Sequence, residues 1–417
     1  MALADTGSRV KPQGASPFAF LYQRETRQVL YQAVLGIAIV ALFYMMVSNA
    51  SENLRKQNIA SGFDFLGRTA GFDISQSLID YTNTQSYGRA FLVGFWNTIL
   101  IAVIGIFFAT ILGFVAGIAR LSSNWLVAKV AAAYVEFVRN CPLLLQLFFW
   151  YFGVLKALPG VFKTGPDGAP LLAADGTRIP GSFELPGGLL LNNRGLIVPQ
   201  PEWLPGFGIV LGGIVFGILA SMLVAWWANR RQMATGQRFP VLWSTIALVV
   251  LLPLGLFLAM GRPLNLEYPV LGRFNLSGGI VVVPEFVAML VGLVFYTASY
   301  IAEIVRAGIL GVSKGQKEAA LAIGLTKGQA LRLVVIPQAM RIIIPPLTSN
   351  YLNLTKNSSL GVAIGYPDLV NVGGTVLNQT GQAVELILMI MGVYLTTSLL
   401  TSAFMNWFNT RMALVER

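Results

Sequence analysis

Eight stretches of this sequence are each apolar over about twenty residues or more, the length an α-helix needs to cross a hydrocarbon core of about 30 Å. Their approximate limits are 29–50, 91–119, 130–155, 206–229, 240–260, 284–305, 343–366 and 384–410. No other feature constrains the chain as much. Inside a bilayer each backbone donor and acceptor must find a partner within the protein, and a continuous apolar run of this length does so as a helix. Composition agrees, because only 11% of the 417 residues are charged, against about 25% in a soluble domain. An all-α membrane protein with about eight transmembrane helices is expected. The first apolar run is about 22 residues long, which exceeds a signal-peptide core, and no small-residue cleavage site follows it. It is therefore expected to remain as an anchor helix.

Basic residues orient the spans. With the N-terminus placed inside, seventeen of the 29 Lys and Arg fall on inner segments, mostly short ones, and ten on outer segments, where ten acids dilute them. Arg139 and Lys356 fall within spans. This bias puts both termini in the cytoplasm and explains the net charge of +11 without nucleic acid. A nucleic-acid site would need a compact basic patch with interleaved aromatics, which the sequence does not have. The single cysteine, Cys141, excludes an intrachain disulfide, and there is no histidine. No metal-binding cluster, nucleophile–base pair or phosphate-binding loop of the G-x-x-x-x-G-K-[ST] type is present.

The chain divides into a cytoplasmic N-terminal segment (1–28), the anchor helix (29–50), an outer segment (51–90), spans two and three (91–155), an insert (156–283), spans six to eight (284–410) and a cytoplasmic tail (411–417). The insert opens with a Gly- and Pro-rich stretch, 156–205, containing TGPDGAP and IPGSFELPGG. It reads as turns and short strands capping the outer face. Two further spans follow it. Gly105, Gly113 and Gly117 in span two permit close helix approach. Trp226, Trp227 and Trp407 fit interfacial anchors.

One inner segment does not fit a membrane reading. KEAALAIGLTKGQALRLVVIPQ, Lys317 to Gln338, is charged yet has apolar residues at helical spacing. Ser313 is placed to cap a short helix that Gly324 would stop, and a second helix over 326–335 would be stopped by Pro337. A helix this short is marginal in water. It is either an ordinary amphipathic connector or an element held by another protein.

The spacing within this stretch resembles the signature of the transmembrane subunits of bacterial ABC importers: Glu-Ala-Ala, three residues, Gly, nine residues, an aliphatic, any residue, an aliphatic, then Pro. Here those positions are Glu318, Ala319, Ala320, Gly324, Val334, Ile336 and Pro337. The stretches Ser299 to Leu360 and Tyr134 to Gly153 resemble the polar amino-acid permeases, although Asn140-Cys141 stand where that family more often has Gly-Thr. The resemblance covers roughly 88–155 and 284–410. It implies the type I ABC importer transmembrane fold, a five-helix core to which the anchor helix and the inserted helix pair are added. The size is similar to the larger permease subunit of general L-amino-acid or glutamate/glutamine/aspartate/asparagine importers. Such a chain would sit in the bacterial inner membrane. Its partners would be a second homologous permease subunit in a heterodimer, two ATPase subunits and a periplasmic amino-acid binding protein. ATP and Mg would be used by the partner ATPase, with no cofactor bound by this chain. The short helix would dock in a groove on the ATPase as a stiff lever ended at Pro337. Glu318, Ala319, Ala320, Gly324 and Pro337 would be the coupling residues, within a loop of about 306–342.

Polar residues inside spans must face protein or water. Asn350, Asn353 and Asn357 share one helical face of span seven at i, i+3 and i+7, with Lys356 and Ser358 beside them. They read as lining of a translocation path or as interhelical glue. The same two readings apply to Asn97 and Thr98, and Tyr300 is a further lining candidate. Glu303 has Arg306 three residues on, which suggests a local ion pair or a contact with substrate or gate. Glu136 and Arg139 repeat that spacing. Pro345 and Pro346 are expected to open span seven. The competing function is a self-sufficient ion-coupled carrier or channel, which would need paired mid-membrane acids and inverted repeats. A membrane enzyme is disfavoured by the lack of histidine and of a polar catalytic cluster.

Overall fold

The computed structural model describes residues 24–56, 62–167, 169–173, 178–271 and 276–412. Most of the expected N-terminal segment and tail thus lies outside the described residues. Seven helical runs are long and apolar enough to cross a membrane, and a bent pair makes an eighth. Each expected span meets one of them.

Helix α1, Arg24–Lys56, stands apart, with its described side chains exposed. The core is built from α2 (Tyr87–Ala119), α3 (Trp125–Asn140), α4 (Leu143–Phe148, continued by a π turn Phe149–Leu155) and α8 (Pro284–Leu310). Helix α11 (Ile336–Asn357), α12 (Leu369–Thr380) and α13 (Ala383–Met412) complete it. Helix α8 is central, with Met289, Leu293, Ala298 and Ile301 inaccessible to solvent. It packs along α2 at glycine distance. A Cβ on Gly113 would lie 2.5 Å from Ile301, and one on Gly117 would lie 2.7 Å from the Ala302 carbonyl. The expected close approach is therefore made by the second and third of the three glycines, while Gly105 meets Leu354 of α11.

The insert is a helical hairpin below a small β cap. Strands β1 (Phe183–Leu185), β2 (Leu189–Asn192), β3 (Gly195–Val198) and β4 (Gln200–Trp203) precede α5 (Phe207–Thr235). The return runs through α6 (Val241–Ile246), a π turn Ala247–Leu251 and α7 (Leu252–Ala259). Strands β5 (Leu264–Glu267), β6 (Val270–Leu271), β7 (Leu276–Ser277) and β8 (Ile280–Val282) then lead into α8. Four strands form the antiparallel sheet β1-β2-β3-β8, and β4 pairs with β5. The cap thus ties both ends of the insert to the start of α8. Turns and short strands were the expected form of this region.

Two spans depart from expectation. Span three is not one straight helix: α3 and α4 meet at 106°. Cys141 is extended at φ −99°, ψ 126°, as a residue before proline prefers. Pro142 cannot donate to the Val138 carbonyl four residues back. The Gln146 side chain does so instead, donating to Val138 O and Cys141 O, both at 2.9 Å. Span seven begins earlier than 343. Helix α10 (Lys327–Ala330), a π turn Leu331–Val335 and α11 form one helical run, so Pro337 does not stop a helix. The π turn is the reason. The Ile336 N–H bonds to the Leu331 carbonyl, five residues back, which widens the turn just where a proline ring would otherwise clash. Pro345 and Pro346 lie inside α11 rather than at its start. Both are exposed, and the Asn350 amide donates to the Pro346 carbonyl at 3.0 Å.

Candidate functional site

Helix α9, Lys314–Ala322, projects on the side opposite the β cap. The backbone at its end forms two nested bonds: Gly324 N–H to Leu321 O at 3.0 Å, and Leu325 N–H to Ala320 O at 3.2 Å. Gly324 takes φ +89°, the left-handed stop that glycine adopts most readily. Two residues later a new helix starts with reciprocal caps. Gln329 N–H donates to Thr326 Oγ1 at 3.3 Å, and Thr326 N–H donates to Gln329 Oε1 at 2.9 Å. The spacing from Glu318 to Gly324 thus encodes a helix, a hard stop and a restart. Ser313 stands at the N-cap position but makes no side-chain cap.

Glu318, Ala319, Gly324 and Pro337 are exposed, whereas Ala320 is 3% exposed. Among the described residues α9 packs mainly against α10 and the Leu331–Val335 turn, and Gln316 accepts from the Gln338 amide of α11 at 3.5 Å. One side of it is thereby held and the other left bare. A Cβ on Gly324 would meet nothing within 4 Å. The hairpin is coupled to the membrane part through the unbroken run from Lys327 into α11.

A charge network closes the same ends of α2, α3 and α8. Glu303 accepts from Arg306 Nη2 at 2.6 Å and also from Arg120, the residue that ends α2. Arg120 reaches Glu136 at 3.5 Å. The expected Glu303–Arg306 pair is present, but its main structural consequence is to tie α2 to α8. Glu136 does not pair with Arg139 as its spacing suggested. The Arg139 guanidinium lies 5.0 Å from the centre of the Tyr300 ring, and Tyr300 in turn meets the Tyr296 hydroxyl at 3.2 Å. Because the Glu136 side chain is 62% exposed, that leg adds little stability.

The path candidates separate into groups. On α11, Asn353 and Lys356 are exposed, and Asn350 and Asn357 are half-buried. Asn97 and Thr98 do not face any opening: they are 0% and 1% exposed. Asn97 donates to Pro367 O at 2.9 Å and Gln76 O at 2.8 Å. Thr98 Oγ1 accepts from Leu369 N–H at 3.0 Å. These two residues hold the turn before α12 against α2, which corrects their reading as lining. Ser358 is likewise buried and donates to Thr355 O at 2.7 Å. The residues brought together there include one the sequence reading did not single out. Asp368 is fully buried, caps α12 by accepting from Asn371 N–H at 2.8 Å, and receives the Tyr394 hydroxyl at 3.4 Å. An Asp beginning a polar-flanked helix after Pro367 was the available signal.

Residues 210–414 match the model of the binding-protein-dependent transport system inner membrane component. The chain is 52% identical, over 95% of both chains, to the general L-amino acid transport system permease protein AapQ of Rhizobium johnstonii. It is 46% identical to the putative amino-acid ABC transporter permease protein YhdX of Escherichia coli K12, over 94% of this chain and 95% of that one. It is 39% identical to the glutamate/glutamine/aspartate/asparagine transport system permease protein BztB of Rhodobacter capsulatus, over 95% and 96%. Full-length likeness of this kind includes the anchor helix, the insert and the exposed α9–α10 hairpin alike. The chain belongs to the binding-protein-dependent inner membrane components, the multi-pass permease subunits of ABC importers.

Proposed function

We propose that this permease carries L-amino acids and that α9 is the element through which a separate ATPase drives it. Permeases of this family are non-catalytic membrane subunits served by such an ATPase, and the relatives favour this reading over a self-sufficient carrier. The substrate class is supported by the names of the three relatives. One observation carries the coupling assignment: α9 is exposed along the Glu318–Ala319 side, stopped hard at Gly324, and continuous through α10 with α11. In the complete importer, two ATPase subunits that use ATP and Mg and a second, homologous permease subunit complete the assembly. A periplasmic binding protein delivers the amino acid at the β cap. Both termini lie on the cytoplasmic side.

Asn350, Asn353, Lys356 and Asn357 face a water-filled path between the two permease subunits, with Tyr300 near its inner end. A lysine turned to lipid costs about 2.5–3.5 kcal/mol at mid-membrane on insertion scales. Among the described residues none pairs with Lys356, which favours a wet or partner-covered face.

The test uses the whole complex in proteoliposomes. Gly324→Asp and Glu318→Lys are expected to abolish ATP-driven uptake across a panel of labelled amino acids and to uncouple ATPase activity, with membrane insertion intact. Gly324→Ala meets open space in this chain and costs about 1 kcal/mol for its left-handed backbone, so it retains partial uptake. Normal uptake by both charged variants would sink the coupling assignment. Uptake of no amino acid by the unaltered complex would sink the substrate class.

A further inference from the structure

The turn that joins α5 to α6 lies opposite the β cap, on the side from which α9 projects. It is the most basic and aromatic short segment of the insert. Trp226, Trp227, Arg230, Arg231, Arg238 and Trp243 fall within eighteen residues, and no Asp or Glu occurs anywhere between Glu202 and Glu267. The arrangement is ordered. The Arg230 guanidinium lies 4.1 Å from the Trp226 ring centre, and that of Arg231 lies 5.4 Å from the Trp227 ring centre. Trp227 meets Phe239 edge-on at 5.3 Å. Arg231 Nη2 donates to Gln237 Oε1 at 2.9 Å, which folds the turn back on the helix end. Gly236 ends α5 at φ +72°. Among the described residues no carboxylate pairs with any of the three arginines.

Among the described residues the hairpin that carries this turn packs chiefly on itself. Trp226, Trp227 and Trp243 are 55%, 46% and 71% exposed. Tryptophan rings of this exposure at the end of a membrane helix sit at headgroup depth. Stacking holds each arginine stem against its ring and leaves the guanidinium's remaining N–H donors free. A planar fork of donors at that depth matches a phosphate diester. Three uncompensated positive charges select a lipid whose headgroup is net negative over a zwitterionic one.

We propose that the Trp226–Trp243 turn binds the headgroups of acidic phospholipids and so fixes the inserted hairpin to the leaflet on the coupling side. The test is native mass spectrometry of the purified complex titrated with phosphatidylglycerol or with phosphatidylcholine. The unaltered complex is expected to take up phosphatidylglycerol at least tenfold more tightly. Each of Arg230→Gln, Arg231→Gln and Arg238→Gln should weaken that binding about fivefold, following the usual contribution of one basic side chain at an anionic surface. Phosphatidylcholine binding should not change. The triple variant should show no preference, and Lys163→Gln in the outer cap should behave as unaltered protein. If the triple variant cannot be recovered, the three single variants give the same reading. Retained preference in the arginine variants would overturn the proposal. So would loss of the ATPase subunit with lipid preference intact, because the turn would then be a protein contact.

Discussion

Asp368 carries the sharpest consequence of a single buried side chain. It has no solvent exposure, and burial pushes its carboxyl up to about 7 against the stabilising bonds from Asn371 and Tyr394. The unfolded chain releases this proton near 3.8. Between the two values the folded protein holds a proton that the unfolded chain does not, so stability falls as pH rises through that window and levels off above it. The slope amounts to at most about 1.4 kcal/mol per pH unit. The melting temperature of the purified complex is therefore expected to drop between pH 5.5 and 7.5. Asp368→Asn should flatten that drop and melt higher than unaltered protein at pH 7.5. An equal slope in both proteins would rule Asp368 out as its source. The same residues explain what the sequence could not convey. Asn97 and Thr98 look like lining because polar groups in an apolar span must face something, but their partners, Pro367 and Leu369, lie some 270 positions away. Periodicity identifies the face and says nothing of what covers it.

At the scale of elements, the existence of the helices was legible, while several of their ends and their breaks were not. The eight runs, the Gly324 stop and a close helix approach at the α2 glycines follow from local pattern, though which helix comes close does not. The elbow in span three and the π turn before Pro337 do not, because each depends on whether another group replaces the donor that proline lacks. At Pro142 the replacement is the Gln146 amide, 8% exposed and bonded to two carbonyls; at Pro337 it is a change of helical pitch. Gln146→Leu would leave the Cys141 carbonyl without its amide partner and the Val138 carbonyl with only the Cys141 N–H at 3.4 Å, at about 1–3 kcal/mol for an unsatisfied buried group. The expected result is a melting temperature lower by several degrees and reduced yield of assembled complex. A conservative Gln146→Asn, too short to span both carbonyls, should fall between. A melting temperature equal to that of unaltered protein would show that water or another group fills the place. The β cap illustrates the opposite limit: Gly and Pro density announced turns, yet the pairing of β3 with β8 joins residues about eighty positions apart and has no local signal.

Taken whole, the molecule is lopsided in its polarity. Helix α8 is enclosed by α2, α3, α4 and α11, and α1, α5 and α13 are long and apolar enough to cross a membrane. The α11 face is different, because Asn353 and Lys356 stand exposed there on a spanning helix. On the function proposed above, that face is the wall of a path closed by a second permease subunit, and the amides would trade hydrogen bonds with a passing zwitterion. Hydrogen bonds to charged groups contribute about 1.5–3 kcal/mol each. Replacing Asn353 and Asn357 together by leucine should therefore lower amino-acid uptake tenfold to a hundredfold, or narrow the range of amino acids taken up. Assembly with the ATPase and its basal hydrolysis should stay within about twofold, since neither residue touches the α9 hairpin. Interhelical glue would give the reverse pattern, with weakened assembly and an unchanged substrate profile in whatever complex survives. Uptake and subunit yield measured on the same preparation separate the two, and an unchanged uptake profile would assign these asparagines to packing.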